Sequence, residues 1–123
     1  MKITANFKLS EFNSKDGSIM PEDVMHNAIK LACNLERLRN VLKAPITINS
    51  GYRSPSHNKA VGGAKNSQHL TGKAADIVVA GFDPILVKET IEQLIQDGEM
   101  LQGGLKAYNS FVHYDIRGQK ARW

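Results

Sequence analysis

A chain of 123 residues has room for one compact domain and none for a second catalytic one, so residues 1–123 are expected to form a single unit. Hydrophobic residues at 41%, charged residues at 23% and a mean hydropathy of -0.33 describe a folding globular chain and argue against disorder. Sixteen Lys and Arg against twelve Asp and Glu leave a net charge of +4, but the basic residues are scattered and cluster only over 117–123, so no nucleic-acid partner is expected.

From the amino terminus, residues 1–10 show no continuous apolar core and no cleavage pattern, and nowhere does the chain approach the run of about 18 apolar residues that a membrane span needs. The expectation is synthesis in the cytoplasm without a signal peptide and no membrane partner. Over 21–43, Val24, Ala28, Leu31, Leu35, Leu38 and Leu42 recur at steps of three and four, which predicts an amphipathic helix. Pro21 suits its first turn, Glu22 and Asp23 complement the dipole, and Pro45 stops it. Cys33, the only cysteine, falls opposite that stripe; it excludes an intramolecular disulfide and a cysteine-rich zinc site.

Ile46 to Asn49 reads as a short strand, and Ala74 to Val79 as a second. Between them, 54–73 is polar and longer than the about 12–15 residues of ordinary connections, so it is functional, disordered or hides a short helix. Asp83-Pro84 is expected to cap a helix carrying Val87, Ile91, Leu94 and Ile95 that Gly98 closes. Leu105–Tyr108 and Phe111–Ile116 then form a hairpin around Asn109-Ser110. The pattern predicts an α+β fold, a small mainly antiparallel sheet with helices packed on one side.

Asp76 is an acid inside an apolar strand, a costly position unless its charge is paired or bound to a cation. His69 precedes it by seven residues, and Gly72 between them permits a turn that brings imidazole and carboxylate together. Alternation along the last strand puts Phe111, His113 and Asp115 on one face. If Asp76 shares that face, His69, Asp76 and His113 make a set that suits zinc with one position open; otherwise His113 is a packing histidine.

Ser50-Gly51-Tyr52-Arg53-Ser54-Pro55, Gly62-Gly63-Ala64, Ser67-Gln68-His69, Gly72-Lys73-Ala74-Ala75-Asp76 and Phe111-Val112-His113-Tyr114-Asp115, in this order, resemble the peptidase M15 family. These are zinc D-alanyl-D-alanine carboxypeptidases and peptidoglycan endopeptidases, and the likeness, closest to the short phage-type branch, runs from about Leu9 to Trp123. It implies a hedgehog/D-Ala-D-Ala peptidase-like fold, one zinc per chain held by His69, Asp76 and His113, and a monomer that cuts peptidoglycan stem or cross-link peptides. It further implies that Arg53 stabilises the oxyanion or holds a substrate carboxylate, with a strand-end salt bridge as the alternative, and that Ser67 and Gln68 line the substrate groove.

Several branches carry an acidic base three residues before the third ligand, where this chain has Ser110. The base is therefore assigned to Asp115, from the His-x-Asp pattern, against the alternative that Asp115 orients a ligand imidazole. His57 and His26 match no family ligand and are expected to be surface or packing residues. The expected setting is cell-wall degradation by a phage lysis enzyme (endolysin) or virion enzyme; the rival is a non-catalytic zinc-binding interaction domain on the same fold.

Overall fold

The computed structural model describes residues 2–123. The long helix α1 runs Glu22–Leu42 behind Pro21, with Glu22 and Asp23 in its first turn. Val24, Ala28, Leu31, Leu35 and Leu38 are buried along one stripe, Leu42 packs against the core's edge, and Cys33 is exposed on the far side. The helix ends as Lys43 turns left-handed at φ 52°, its N–H still bonded to the Arg39 carbonyl at 2.9 Å, and Pro45 bars another turn.

Four strands, β1 (Ile46–Ser50), β2 (Ala74–Val79), β3 (Leu105–Ala107) and β4 (Val112–Asp115), form an antiparallel sheet in the order β1-β2-β4-β3. Strand alternation separates two faces. Ile46, Ile48, Ala75, Ile77, Val79, Leu105, Val112 and Tyr114 join the core with α1 and with Val87, Ile91 and Leu94 of α3 (Pro84–Gln96). The residues between them occupy the opposite face, where Asp76 of β2 sits directly across from His113 of β4 and Ala74 across from Asp115. The architecture is the expected α+β fold, with the chemistry-bearing side chains on the face away from α1 and α3.

The 54–73 segment contains two short elements: α2 (Pro55–Ala60), whose preceding Ser54 Oγ accepts from His57 N at 3.1 Å, and a single 3-10 turn at Gln68–Thr71. Gly72 leaves that turn with φ 76°, and a Cβ there would strike Val24 Cγ1 at 2.7 Å, so only glycine lets His69 approach the sheet against α1. Two expectations need correcting. Asp83 precedes α3 but makes no side-chain cap bond, leaving Pro84 to start the helix through its fixed φ. The last strand covers only Val112–Asp115, although the hairpin is closed as expected by Tyr108 N to Phe111 O at 2.8 Å.

Candidate metal centre

Three elements deliver three candidate ligands to one point. His69 comes from the 3-10 turn, Asp76 from the middle of β2 and His113 from β4, and one ligand atom of each lies within 4.8 Å of the others. His69 Nε2 and His113 Nδ1 both stand 3.3 Å from Asp76 Oδ1, and all three residues are buried.

The outer edge of each imidazole decides what the inner edge presents. His69 Nδ1 lies 2.7 Å from the Gly51 carbonyl, an acceptor only, so Nδ1 carries the proton and Nε2 offers a lone pair. His113 Nε2 lies 2.7 Å from Asp115 Oδ2, so Nε2 donates to the carboxylate and Nδ1 offers a lone pair. With both imidazoles neutral, two nitrogen lone pairs and a carboxylate oxygen face one another at a largely buried site, a repulsion that a cation among them would relieve. The residues thus fit one metal ion held by two histidines and a carboxylate, the donor set of a metal with an open position. Without the ion, protons substitute. Burial opposes charging His113, but hydrogen bonds and charge from Asp115 and Asp76 outweigh it and raise its pKa. Burial likewise opposes the Asp76 charge, and the two histidines outweigh it, holding the carboxyl below the usual range.

Asp115 is 0% exposed and its oxygens are saturated. Oδ1 accepts from Gly104 N at 2.8 Å and from Arg117 N and Nε at 3.1 and 2.9 Å. Oδ2 accepts from Arg117 Nη2 and His113 Nε2, each at 2.7 Å. A Cβ on Gly104 would run into Asp115 Oδ2, so glycine is what lets the β3 entry close over this carboxylate. The sequence expectation of a base beside the metal therefore meets a different placement: Asp115 lies at the edge of His113 remote from Asp76 and does not line the cleft. Strand alternation put both residues on one face but carried no information on which ring edge the carboxylate would meet.

Arg53 follows the β1 bulge at Asn49 and closes the other side. Its Nε reaches Ser50 Oγ at 3.3 Å, Nη1 reaches Asn58 Oδ1 at 3.2 Å, and Nη2 reaches Asp76 Oδ2 at 3.5 Å. The salt bridge and the cleft-facing arginine, weighed as alternatives, coexist in one side chain. Ser67 and Gln68 line the same cleft, and Ser67 Oγ also accepts from His69 N at 3.1 Å, which orients the ligand's turn. Ser110 is exposed in the hairpin turn away from the cleft, His26 is exposed on α1 and His57 is half-buried on α2, none of them among the ligands. Sequence reasoning missed Arg117 and Trp123, which also line the cleft; the one signal available was the basic, aromatic-ending run 117–123.

A buried two-histidine, one-carboxylate group on one face of a small antiparallel sheet defines a domain equipped to hold one metal ion. The family follows: residues 5–115 match the model of Peptidase M15, and the chain belongs to that family. It is 36% identical over 78 residues to the zinc D-Ala-D-Ala carboxypeptidase of Streptomyces albus G, covering 58% of this chain and 31% of that protein. It is also 36% identical over 87 residues to the "Probable peptidoglycan L,D-endopeptidase MepK" of Haemophilus influenzae, covering 67% of this chain and 45% of that protein. The chain thus spans under half the length of both relatives. Among the described residues no helix is long and apolar enough to cross a membrane.

Proposed function

We propose that residues 1–123 form one zinc peptidase domain that hydrolyses amide bonds in peptidoglycan stem or cross-link peptides, as a carboxypeptidase or endopeptidase. The observation that carries this reading is the convergence of His69 Nε2, Asp76 Oδ1 and His113 Nδ1 with their outer edges tied down, inside a peptidase family. Bound there, zinc supplies a Lewis acid that polarises a carbonyl and activates water. The substrate class is taken from the two relatives' names, one a D-Ala-D-Ala carboxypeptidase and the other a probable peptidoglycan endopeptidase; action on the cell wall as a monomeric phage lysis or virion enzyme belongs to the same proposal and rests on the sequence resemblance.

The chain's own residues do the rest. Arg53, fixed by Ser50, Asn58 and Asp76, presents positive charge where the carbonyl oxygen becomes an oxyanion, and its held geometry means little reorganisation during reaction. Ser67 and Gln68 offer polar contacts to the peptide along the cleft wall. Asp115 keeps the His113 proton on Nε2 and so keeps Nδ1 free to bind metal; serving as proton acceptor would require its oxygens to leave five donors.

One observation favours a second reading, a metal-binding domain without turnover: among the cleft-lining residues the only carboxylate is Asp76, already a ligand. Mass spectrometry of muropeptides released from purified sacculi, with and without chelator, separates the two. Metal-dependent release of defined peptides establishes the peptidase; an unchanged sacculus with zinc bound establishes the binding domain.

A further inference from the structure

Trp123 is the chain's single tryptophan, and it is 53% exposed. It is nevertheless held in place. Its ring meets His113 edge-on at 5.2 Å and 65°, and its Nε1 donates to Tyr108 Oη at 3.3 Å. Tyr108 stacks on Phe111 at 4.6 Å, so three aromatic rings continue the wall of the cleft outward from the metal group. The neighbouring Arg122 is clamped to Glu92 of α3 by two bonds of 2.8 and 2.7 Å and to the Gly103 carbonyl at 2.6 Å, which anchors the segment carrying Trp123. A large, flat, half-exposed ring fixed beside a ligand gains little from core burial; it is built to cover something in the cleft.

Arg117 stands beside it, its Cζ 5.7 Å from the Trp123 ring centroid. The Nε and Nη2 edge is consumed by Asp115, while Nη1 donates no hydrogen bond among the described residues, and the side chain lines the cleft. Arg53 differs, because all three of its nitrogens already have partners. The two guanidiniums balance Asp76 and Asp115, so a divalent ion leaves the cleft net positive, which favours an anionic substrate.

We propose that Arg117 and Trp123 form a carboxylate-and-alkyl subsite: Arg117 Nη1 takes a free carboxylate of the peptide substrate, and the Trp123 face covers the adjoining aliphatic portion. This rests on the peptidase reading for the nature of the ligand. It also divides labour between the arginines, with substrate anchoring on Arg117 and Arg53 left to the reacting carbonyl.

The single tryptophan supplies the assay. Zinc-loaded protein is mixed in a stopped-flow fluorimeter with acetyl-L-lysyl-D-alanyl-D-alanine or with its C-terminal carboxamide, so that Trp123 fluorescence reads binding before turnover. Both peptides are expected to change the emission, and the acid to bind about tenfold or more tighter, the scale of one charge-assisted hydrogen bond. Arg117→Lys keeps a charge against Asp115 but has no second edge to offer, and should lose most of that preference; the comparison is made at saturating zinc, because loosening Asp115 also weakens the hold of His113 on the metal. Arg53→Lys should keep it. Equal binding of acid and amide by the wild type, or a preference abolished by Arg53→Lys, overturns the proposal, and these two comparisons stand even if Arg117→Lys does not fold. Acid preference lost in Arg117→Lys without any hydrolysis of sacculi would uphold the subsite and remove the peptidase reading; hydrolysis without acid preference would do the reverse.

Discussion

Replacing Asp115 by asparagine changes one oxygen to an NH2 group and little else in shape, yet it forces donors to face donors. Placed at Oδ1, the amide nitrogen confronts Gly104 N, Arg117 N and Arg117 Nε; placed at Oδ2, it confronts Arg117 Nη2 and His113 Nε2. The less costly orientation still leaves two donors unsatisfied at a fully buried position. Removing one partner of such a pair costs about 3–5 kcal/mol. Set against the roughly 0.05–0.15 kcal/mol per residue that domains retain, the variant should fold but melt well below the wild type, by about 10–20 °C. The second effect is on metal. Once Nε2 loses its acceptor, the His113 proton is free to move to Nδ1, the edge that faces Asp76, and zinc affinity should fall by about 10–100-fold. Chelator competition gives the affinity, a thermal melt the stability, and peptide release at saturating zinc the rate. A variant with wild-type melting and zinc affinity but turnover reduced by about 10²–10⁴ would refute the positioning role and return Asp115 to that of general base.

Four further outcomes follow from the same geometry. His69→Ala should take the purified protein from one bound zinc towards none, measured by metal analysis, since two remaining ligands hold zinc poorly. Arg53→Ala should retain zinc and lose about 10²–10³ in turnover on released muropeptides, with Arg53→Lys recovering only part because an ammonium lacks the planar fork. Gly104→Ala, which changes no charge, should weaken zinc binding in the same direction as Asp115→Asn, because the new methyl displaces the carboxylate. Glu92 has its pKa lowered chiefly by the Arg122 hydrogen bonds, against burial; its contribution is therefore present above its ordinary value of 4.5 and lost as pH falls through the depressed one. Titrating Trp123 emission downward from pH 5 should show the carboxy-terminal segment loosening, and Glu92→Gln should show it already loosened at neutral pH.

The elements that the sequence exposed are those governed by short-range rules. The α1 stripe, the apolar run of β2, the alternation of β4 and the Asn109-Ser110 turn each follow from local pattern, and the structure reproduces them within a residue or two. Asp76 was conspicuous as an acid among apolar neighbours, but periodicity left open whether it shares the His113 face, and the trio came from the resemblance to the peptidase M15 family; the direct pairing of Asp76 with His113 is what places them side by side. What alternation cannot carry is the far side of a ring. Whether Asp115 meets the His113 edge towards or away from Asp76 depends on Arg117 and on the closeness of Gly104, an approach set by β3 and the tail rather than by β4 itself. Trp123 was invisible for a similar reason: its position depends on Arg122 reaching a glutamate 30 residues earlier on α3.

The two imidazoles are steered by different kinds of partner. His69 is aimed by the main-chain carbonyl of Gly51, which every residue type possesses, whereas His113 is aimed by the side chain of Asp115 and, behind it, Arg117. Substitution along the chain cannot erase the first constraint without moving the backbone; it can grade the second through changes that leave the ligand itself untouched. Selection or design that seeks a weaker or stronger grip on the metal therefore has one adjustable handle, on the β4 side, and one that is built into the turn after β1.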